Sequence, residues 1–280
     1  MSLNNRRTSQ EFQHHFEDII GIPFTHNNAI KVLKNGDEIF PRMLNAIEKA
    51  SQKIDLVTYV YWTGDIAEKF SQALASKAQQ QVKVSVLLDG YGAQRIEQNL
   101  LQLMEKAGVV IRWFRPIRLL HIAKLDNRTH RKILIVDDKV GFTGGVGIAT
   151  EWEGDARNSD EWRDTHFEIT GPAVSGLRGA FIANWAETGD YSVLNINHCP
   201  RPALDGTALI QVIRSTTSAG WSDIVTLFHT LINTATASLK ISTAYFVVDQ
   251  QLLDTFKAAV NRGVSIDIII PGEHIDKELS

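Results

Sequence analysis

The sequence predicts an α/β fold: a layered α/β/α lobe around a mixed sheet, followed by the start of a second, pseudo-symmetric lobe. Three observations predict it. Apolar strand patterns alternate with amphipathic helix patterns over the first 190 residues, a stretch of low periodicity interrupts them, and a helix-strand-helix-strand pattern then returns. At 280 residues and 44% hydrophobic composition, the chain has enough apolar side chain to bury a sizeable core in one large or two medium domains.

Residues 1–30 read as an N-terminal extension and 31–190 as the first lobe. Residues 54–61 are rich in β-branched and aromatic side chains and predict a strand, 66–80 a helix, and 82–88 an apolar strand closing on Asp89-Gly90. A second βα unit follows, with an amphipathic helix over 94–107 stopped by Gly108 and a strand over 109–114. Further strands are expected over 132–136 and 165–170. A helix is expected over 172–185, opened by Pro172, whose fixed φ and missing N–H suit a first turn. Residues 191–220 hold two prolines and little periodicity, and read as a linker; 221–280 read as the beginning of a second, incomplete lobe.

The repeat is explicit in the residues. An offset of 185 pairs Ile39, Ile47, Ala50, Thr58 and Tyr61 with Ile224, Ile232, Ala235, Thr243 and Phe246. Phe70 and Ala73 pair with Phe256 and Ala259 at 186, and Val82, Val84, Val86 and Gly90 with Val264, Ile266, Ile268 and Gly272 at 182. One supersecondary unit written twice is the mark of a duplicated fold.

The segment THRKILIVDDKVGFTGG places His130, Lys132 and Asp137 at the spacing HxKxxxxD, followed by Gly144 and Gly145. On a strand, positions 130 and 132 share a face, so an imidazole and an ammonium can converge on one phosphate. A neutral histidine can attack phosphorus and split one displacement into two, while lysine places positive charge where the non-bridging oxygens gain negative charge. Glycines at 144 and 145 would let backbone N–H groups approach an anion. Asp137 completes the motif and is counted with the catalytic set. Its opposite parity nevertheless makes it a structural carboxylate at the strand end, not a base.

This motif with its glycine pair resembles the signature of the phospholipase D superfamily. The run NRTHRKILIVDDKVGFTGGVGIATEWEGDARNSDEWRDTHFEITGPAV is similar to its bacterial cardiolipin synthase-like branch, as are NGDEIFPRMLNAI, TYVYWTG and PGEHID. The resemblance implies two such motifs, one per lobe, meeting in one site. One histidine is the nucleophile, the other an acid and then a base, and no metal or cofactor takes part. It makes His130 a catalytic histidine of unassigned role, Lys132 the phosphate ligand, and Asp164 the carboxylate that steadies the catalytic imidazole. His166 shares the parity of Asp164 and faces either the same cleft or the core. The superfamily often has asparagine two positions after the glycine pair, where this chain has Gly147. At the offset of 182, the counterpart of His130 would fall near position 312, beyond Ser280, so the sequence reads as cut before its second half-site.

Between Lys106 and Leu125 lie Lys106, Arg112, Arg115, Arg118 and Lys124 with no acidic residue, interleaved with Trp113, Phe114, Ile117, Leu119 and Leu120. This segment suits anionic lipid headgroups, with Arg115 and Arg118 as substrate-binding candidates; its other reading is a strand end followed by a solvated loop. A net charge of −3 argues against a nuclease, because neutralising many phosphates calls for a basic surface. The lone Cys199 excludes an internal disulfide, and the pair His14 and His15 reads as solvated rather than metal-binding. No apolar stretch is long enough to span a bilayer, and the polar start is no signal peptide. GxSxG, HExxH and GK[ST] are absent.

The resemblance therefore implies a phosphatidyl transferase like cardiolipin synthase. It would act on phosphatidylglycerol through a phosphohistidine, without cofactor or metal, peripherally at the cytoplasmic face of the cell membrane. The competing readings are a phospholipase D-type hydrolase of phospholipid or nucleic acid, and an inactive fragment lacking its second half-site. Single-motif members of the superfamily complete their site about a twofold axis, and a homodimer is the matching expectation if one half-site suffices.

Overall fold

The computed structural model describes residues 9–116, 128–194, 206–215 and 221–272. The chain forms two compact units, one from Phe24–Thr217 and one from Met1–Pro23 together with Ser218–Ser280. In chain order the elements are α1 (Ser9–Ile20), β1 (Thr25–Lys34), α2 (Asn35–Glu48), β2 (Lys53–Thr58), α3 (Asp65–Gln79), β3 (Lys83–Asp89), α4 (Gln98–Ala107) and β4 (Val110–Phe114). There follow β5 (Ile133–Val136), β6 (Val140–Gly144), β7 (Thr165–Thr170), α5 (Ala173–Ala186), β8 (Ala208–Ile210), α6 (Trp221–Thr234), β9 (Ser238–Ser242), α7 (Gln250–Asn261) and β10 (Ser265–Ile269).

The larger unit is an eight-stranded sheet in the order β4-β3-β2-β5-β6-β7-β1-β8. β4, β3 and β2 run parallel to one another, and every other neighbouring pair is antiparallel. The parallel half is made by βα crossovers, which is why its strands read as near-continuous apolar runs covered on both faces. One core packs Ile39, Phe40 and Ile47 of α2 and Phe70 and Leu74 of α3 against Ile54, Leu56, Val84 and Val86. The other packs Val174, Leu177, Phe181 and Trp185 of α5 against Val57, Leu87, Ile133, Ile135 and Ile169. The predicted α/β/α layering is present, and the sheet is mixed.

Three differences from the sequence reading have physical causes. α4 begins at Gln98 rather than 94, because the Asp89 carboxylate accepts from Tyr91 N (2.8 Å) and Gly92 N (3.1 Å) and holds those residues in a turn. β1 starts at Thr25, inside the segment read as an extension. It pairs with β7 from Ala29↔Thr170 to Lys34↔Thr165 through main-chain bonds that its polar sequence does not advertise. β8 lies in the segment read as a linker and pairs with the other edge of β1.

In the smaller unit, α6, β9, α7 and β10 repeat the order of α2, β2, α3 and β3. β2 pairs with β3 in parallel at Lys53↔Lys83, and β9 with β10 in parallel at Ser238↔Ser265, which are the offsets of 185 and 182 found in the sequence. Ile232, Phe256, Ala259 and Val264 form its core, the counterparts of Ile47, Phe70, Ala73 and Val82. α1 packs on α6, with Phe16 buried.

Candidate active site

The motif strand is held by its odd-numbered neighbours and presents its even-numbered ones. Thr129 Oγ1 donates to Asn184 Oδ1 (3.1 Å), and Arg131 donates to the same oxygen (2.7 Å) and to Ala180 O (2.7 Å), tying both residues to α5. His130 and Lys132 therefore project together from the opposite side, although β5 itself begins only at Ile133. The Lys132 ammonium lies 3.3 Å from His130 Nδ1 and 3.1 Å from Nε2, and donates to His130 O at 3.2 Å. The convergence expected from parity is there.

The segment that delivers them is clamped from below by Asp89, which is fully buried. Besides the turn amides, its carboxylate accepts from Arg128 Nε (3.0 Å) and from Thr129 N (2.9 Å). Arg128 Nη2 donates onward to Arg115 O (2.7 Å). Tyr59, just beyond β2, packs its ring 4.7 Å from that of His130 and lies beneath the Lys132 ammonium at 5.4 Å.

Electrostatics match the chemistry. His130 is exposed as a whole residue, but burial of its ring, then the charge of Lys132, lower its pKa to about 4 against an opposing pull from Asp89. The imidazole is thus neutral at working pH, as a nucleophile or base must be. Burial lowers Lys132 to about 8, with Asp164 and Asp89 pulling upward, so it remains mostly cationic near neutrality.

Asp164 sits at the start of β7. Its Oδ2 accepts from Trp152 Nε1 (3.0 Å) and its Oδ1 from Thr165 N (2.7 Å), while Asn35 receives Asp164 N on its side chain (3.1 Å) and donates its own N–H to Asp164 O (3.0 Å). Burial raises its pKa, opposed by those bonds and by Lys132. The carboxylate feels the charge of Lys132 and is oriented by Trp152; the bond to the His130 ring that the resemblance implies is not among its contacts here.

The glycine pair has a different role from the one read in the sequence. A Cβ on Gly145 would fall 2.3 Å from Asp164 Oδ1, and one on Gly144 2.4 Å from His166 Nδ1. The room above these glycines is filled by the side chains of Asp164, just before β7, and His166, not held open for an anion. Gly145 N–H points back to Thr165 O at 3.4 Å. At Gly147, a Cβ would lie 2.6 Å from Val60 and 2.9 Å from the Trp152 ring, so the indole occupies the space an asparagine side chain would need.

Asp137 is the clearest correction. It lies past the far end of β5 from His130, with the whole of that strand, roughly 13 Å, between them. Its carboxylate accepts from Ser51 N and Oγ (both 2.9 Å), Gln52 N (2.8 Å) and Lys53 N (2.9 Å). Burial draws its pKa up, but these bonds outweigh that and hold it below the ordinary value. The motif's aspartate ties the α2–β2 turn to the motif strand and takes no part in the chemistry. Arg115, read as a substrate ligand, pairs with Glu187 through Nη2 (2.7 Å) and Nε (3.1 Å). Arg118, Lys124 and Cys199 lie outside the described residues. Sequence reasoning missed Asp89, Tyr59 and Trp152 as site residues; an aspartate closing a buried strand before glycine was the one available signal.

With this geometry in place, the comparisons with known proteins are decisive for the family. The family described as "Cardiolipin synthase, PLD-like domain" matches residues 43–154 and 228–279. The chain belongs to that family. The two matched stretches overlap the two copies of the repeat. The chain is 32% identical over 253 residues to the major cardiolipin synthase ClsA of Bacillus subtilis strain 168, covering 89% of this chain and 52% of that protein. It is 33% identical over 256 residues to the cardiolipin synthase of Halalkalibacterium halodurans, covering 89% and 50%. The chain spans about half the length of the curated relatives it matches. The crystal structure of phosphatidylserine synthase from Haemophilus influenzae Rd KW20 shares the fold, with a TM-score of 0.65 at 15% identity over 92% of this chain and 65% of that one.

Proposed function

We propose that the lobe centred on His130 supplies one half-site of a phosphatidyl transferase acting on phosphatidylglycerol. A ring nitrogen of His130 attacks phosphorus, the bond from phosphorus to the headgroup glycerol oxygen breaks, and that oxygen leaves with a proton from an acid on the opposing lobe. Lys132 neutralises the non-bridging oxygens as their charge rises. The hydroxyl of a second phosphatidylglycerol gives up its proton to the same opposing group and attacks phosphorus, releasing His130 and forming cardiolipin. The observation that carries the reading is the neutral imidazole held 3.1 Å from a buried ammonium. Membership of the cardiolipin synthase family and the relatives' names support the choice of lipid. The opposing half-site comes from a second lobe or, failing that, a second copy of this chain. Among the described residues no helix is long and apolar enough to cross a membrane, and we place the enzyme peripherally at the inner face of the cell membrane.

The test is mass spectrometry under alkaline conditions after mixing the chain, and its His130→Ala variant, with phosphatidylglycerol, alongside analysis of lipid products. A phosphatidyl adduct on His130, absent from the variant, is the expected result. Release of phosphatidic acid without cardiolipin would make water the acceptor and the protein a hydrolase. An adduct on another residue would remove His130 from the nucleophile's role.

A further inference from the structure

His166 is unused in the chemistry above, yet it is enclosed beside it. Its side chain is 1% exposed, and neither ring nitrogen has a hydrogen-bond partner among the described residues. A buried polar group left unpaired is costly, so a polar side chain in this position calls for a partner in another state of the site. Register fixes where it points: His166 stands opposite Gly144 on β6, and its Nδ1 occupies the space above that glycine, as Asp164 does above Gly145. The two side chains, one just before β7 and one on it, thus fill the room next to the motif strand, and both feel the charge of Lys132.

In the arrangement seen here, Lys132 directs its ammonium at the ring and carbonyl of His130. An ammonium spent on the ring and carbonyl of His130 cannot at the same time neutralise the non-bridging oxygens of a phosphate, so Lys132 has to swing off the ring when phosphate arrives. Both oxygens of Asp164 are already engaged by Trp152 and Thr165. Beside it, His166 is an acceptor with no hydrogen-bond partner among the described residues.

We propose that His166 is a positioning residue for Lys132: with a phosphate group bound, its unprotonated ring nitrogen accepts a hydrogen bond from the ammonium, drawing it off His130 and fixing it on the non-bridging oxygens. Burial, then the charge of Lys132, lower the pKa of His166 to about 3, so the ring keeps a free lone pair throughout the working range. The role rests on reading His130 and Lys132 as a phosphate site, but not on the identity of the lipid.

The test uses sodium tungstate, a phosphate-like anion, as the probe for the whole chain. By calorimetry, His166→Leu should weaken tungstate binding about tenfold, the loss of one charge-assisted hydrogen bond, and His166→Gln, which keeps an acceptor, should recover most of it. In the wild-type protein labelled with ¹⁵N-histidine, saturating tungstate should shift the unprotonated nitrogen of His166 toward the hydrogen-bonded range while the ring stays neutral, a readout that needs no variant to fold. Wild-type chain that takes up no tungstate overturns the phosphate-site reading, and His166's role with it. Tungstate binding that His166→Leu leaves unchanged, that His166→Gln fails to restore, or that does not move the His166 resonance overturns the role of His166 alone.

Discussion

The two copies of the helix-strand-helix-strand unit share a register and differ in what covers them. β2 and β3 are buried along nearly their whole length, whereas in β9 exposed and half-buried residues alternate and β10 is exposed at all but Ile266, with Ile268 and Ile269 38% and 69% exposed. In the first copy β5 pairs with the outer edge of β2 and β4 with that of β3. Just past β10 the second copy differs too: Pro271 stands where the first has Asp89, so that position offers no carboxylate to receive a motif strand. Local pattern is therefore enough to specify the unit's register, while long-range pairing at its edges decides burial and builds the site.

Removing the feature that separates the copies should have the largest effect. Asp89→Ala leaves the Arg128 guanidinium without its buried partner and frees the Thr129 amide, and should cost about 3–5 kcal/mol in urea denaturation. A loss under 1 kcal/mol would mean that the motif strand is held by α5 alone. Next, equivalent core truncations should be unequal. Leu56→Ala, 2% exposed, should cost about 2–5 kcal/mol, whereas Ile241→Ala, its half-buried counterpart, should cost about 1 kcal/mol. Equal losses would show that β9 is as well covered in solution as β2.

Asp137→Asn removes the charge from an acceptor of four hydrogen bonds and should cost about 2 kcal/mol at pH 7. Because the folded state holds this carboxyl below its ordinary value, its contribution is present above the unfolded pKa of about 4 and is lost as pH falls through the folded one. The gap between wild type and variant should therefore close in acid; a gap independent of pH would assign the cost to packing. Turnover, where assembled lobes permit it, should rise as His130 loses its proton near pH 4 and fall as Lys132 loses its own near pH 8. A Lys132→Arg variant that kept the same alkaline limb would remove Lys132 as its source. The smallest effect belongs to the exposed pair Lys257–Asp254 on the second copy, where Asp254→Ala should change stability by under about 0.5 kcal/mol.

Much of this was legible in the sequence, for reasons that mark the limit of such reading. The parallel strands β2, β3 and β4, the helices between them and the offsets of the repeat are written in apolar periodicity, which acts over a few residues. β1, with the polar run THNNAIKVLK, and the short β8 are strands only because β7 and β1 offer edges to pair with, and no local pattern announces that. His130 and Lys132 were found through parity, a property of the chain itself. The role of the glycine pair was misread because the side chains above Gly144 and Gly145 arrive from β7, some twenty residues later. Trp152 and Tyr59 were missed for the same reason: an aromatic residue becomes part of a site by what it lies against.

The packing of α1 on α6 has a consequence in time. The smaller unit draws on segments either side of the larger one, so on the ribosome α1 emerges before the larger unit and its partner helix α6 follows more than two hundred residues later. At ordinary synthesis rates that is a wait of about 10–40 s, during which Phe16 and Ile20 lack the α6 surface while the larger unit is being made between the two helices. An amphipathic helix left alone for that long is a natural client for chaperones, and until α6 is made the nascent chain should be vulnerable to aggregation or proteolysis at α1.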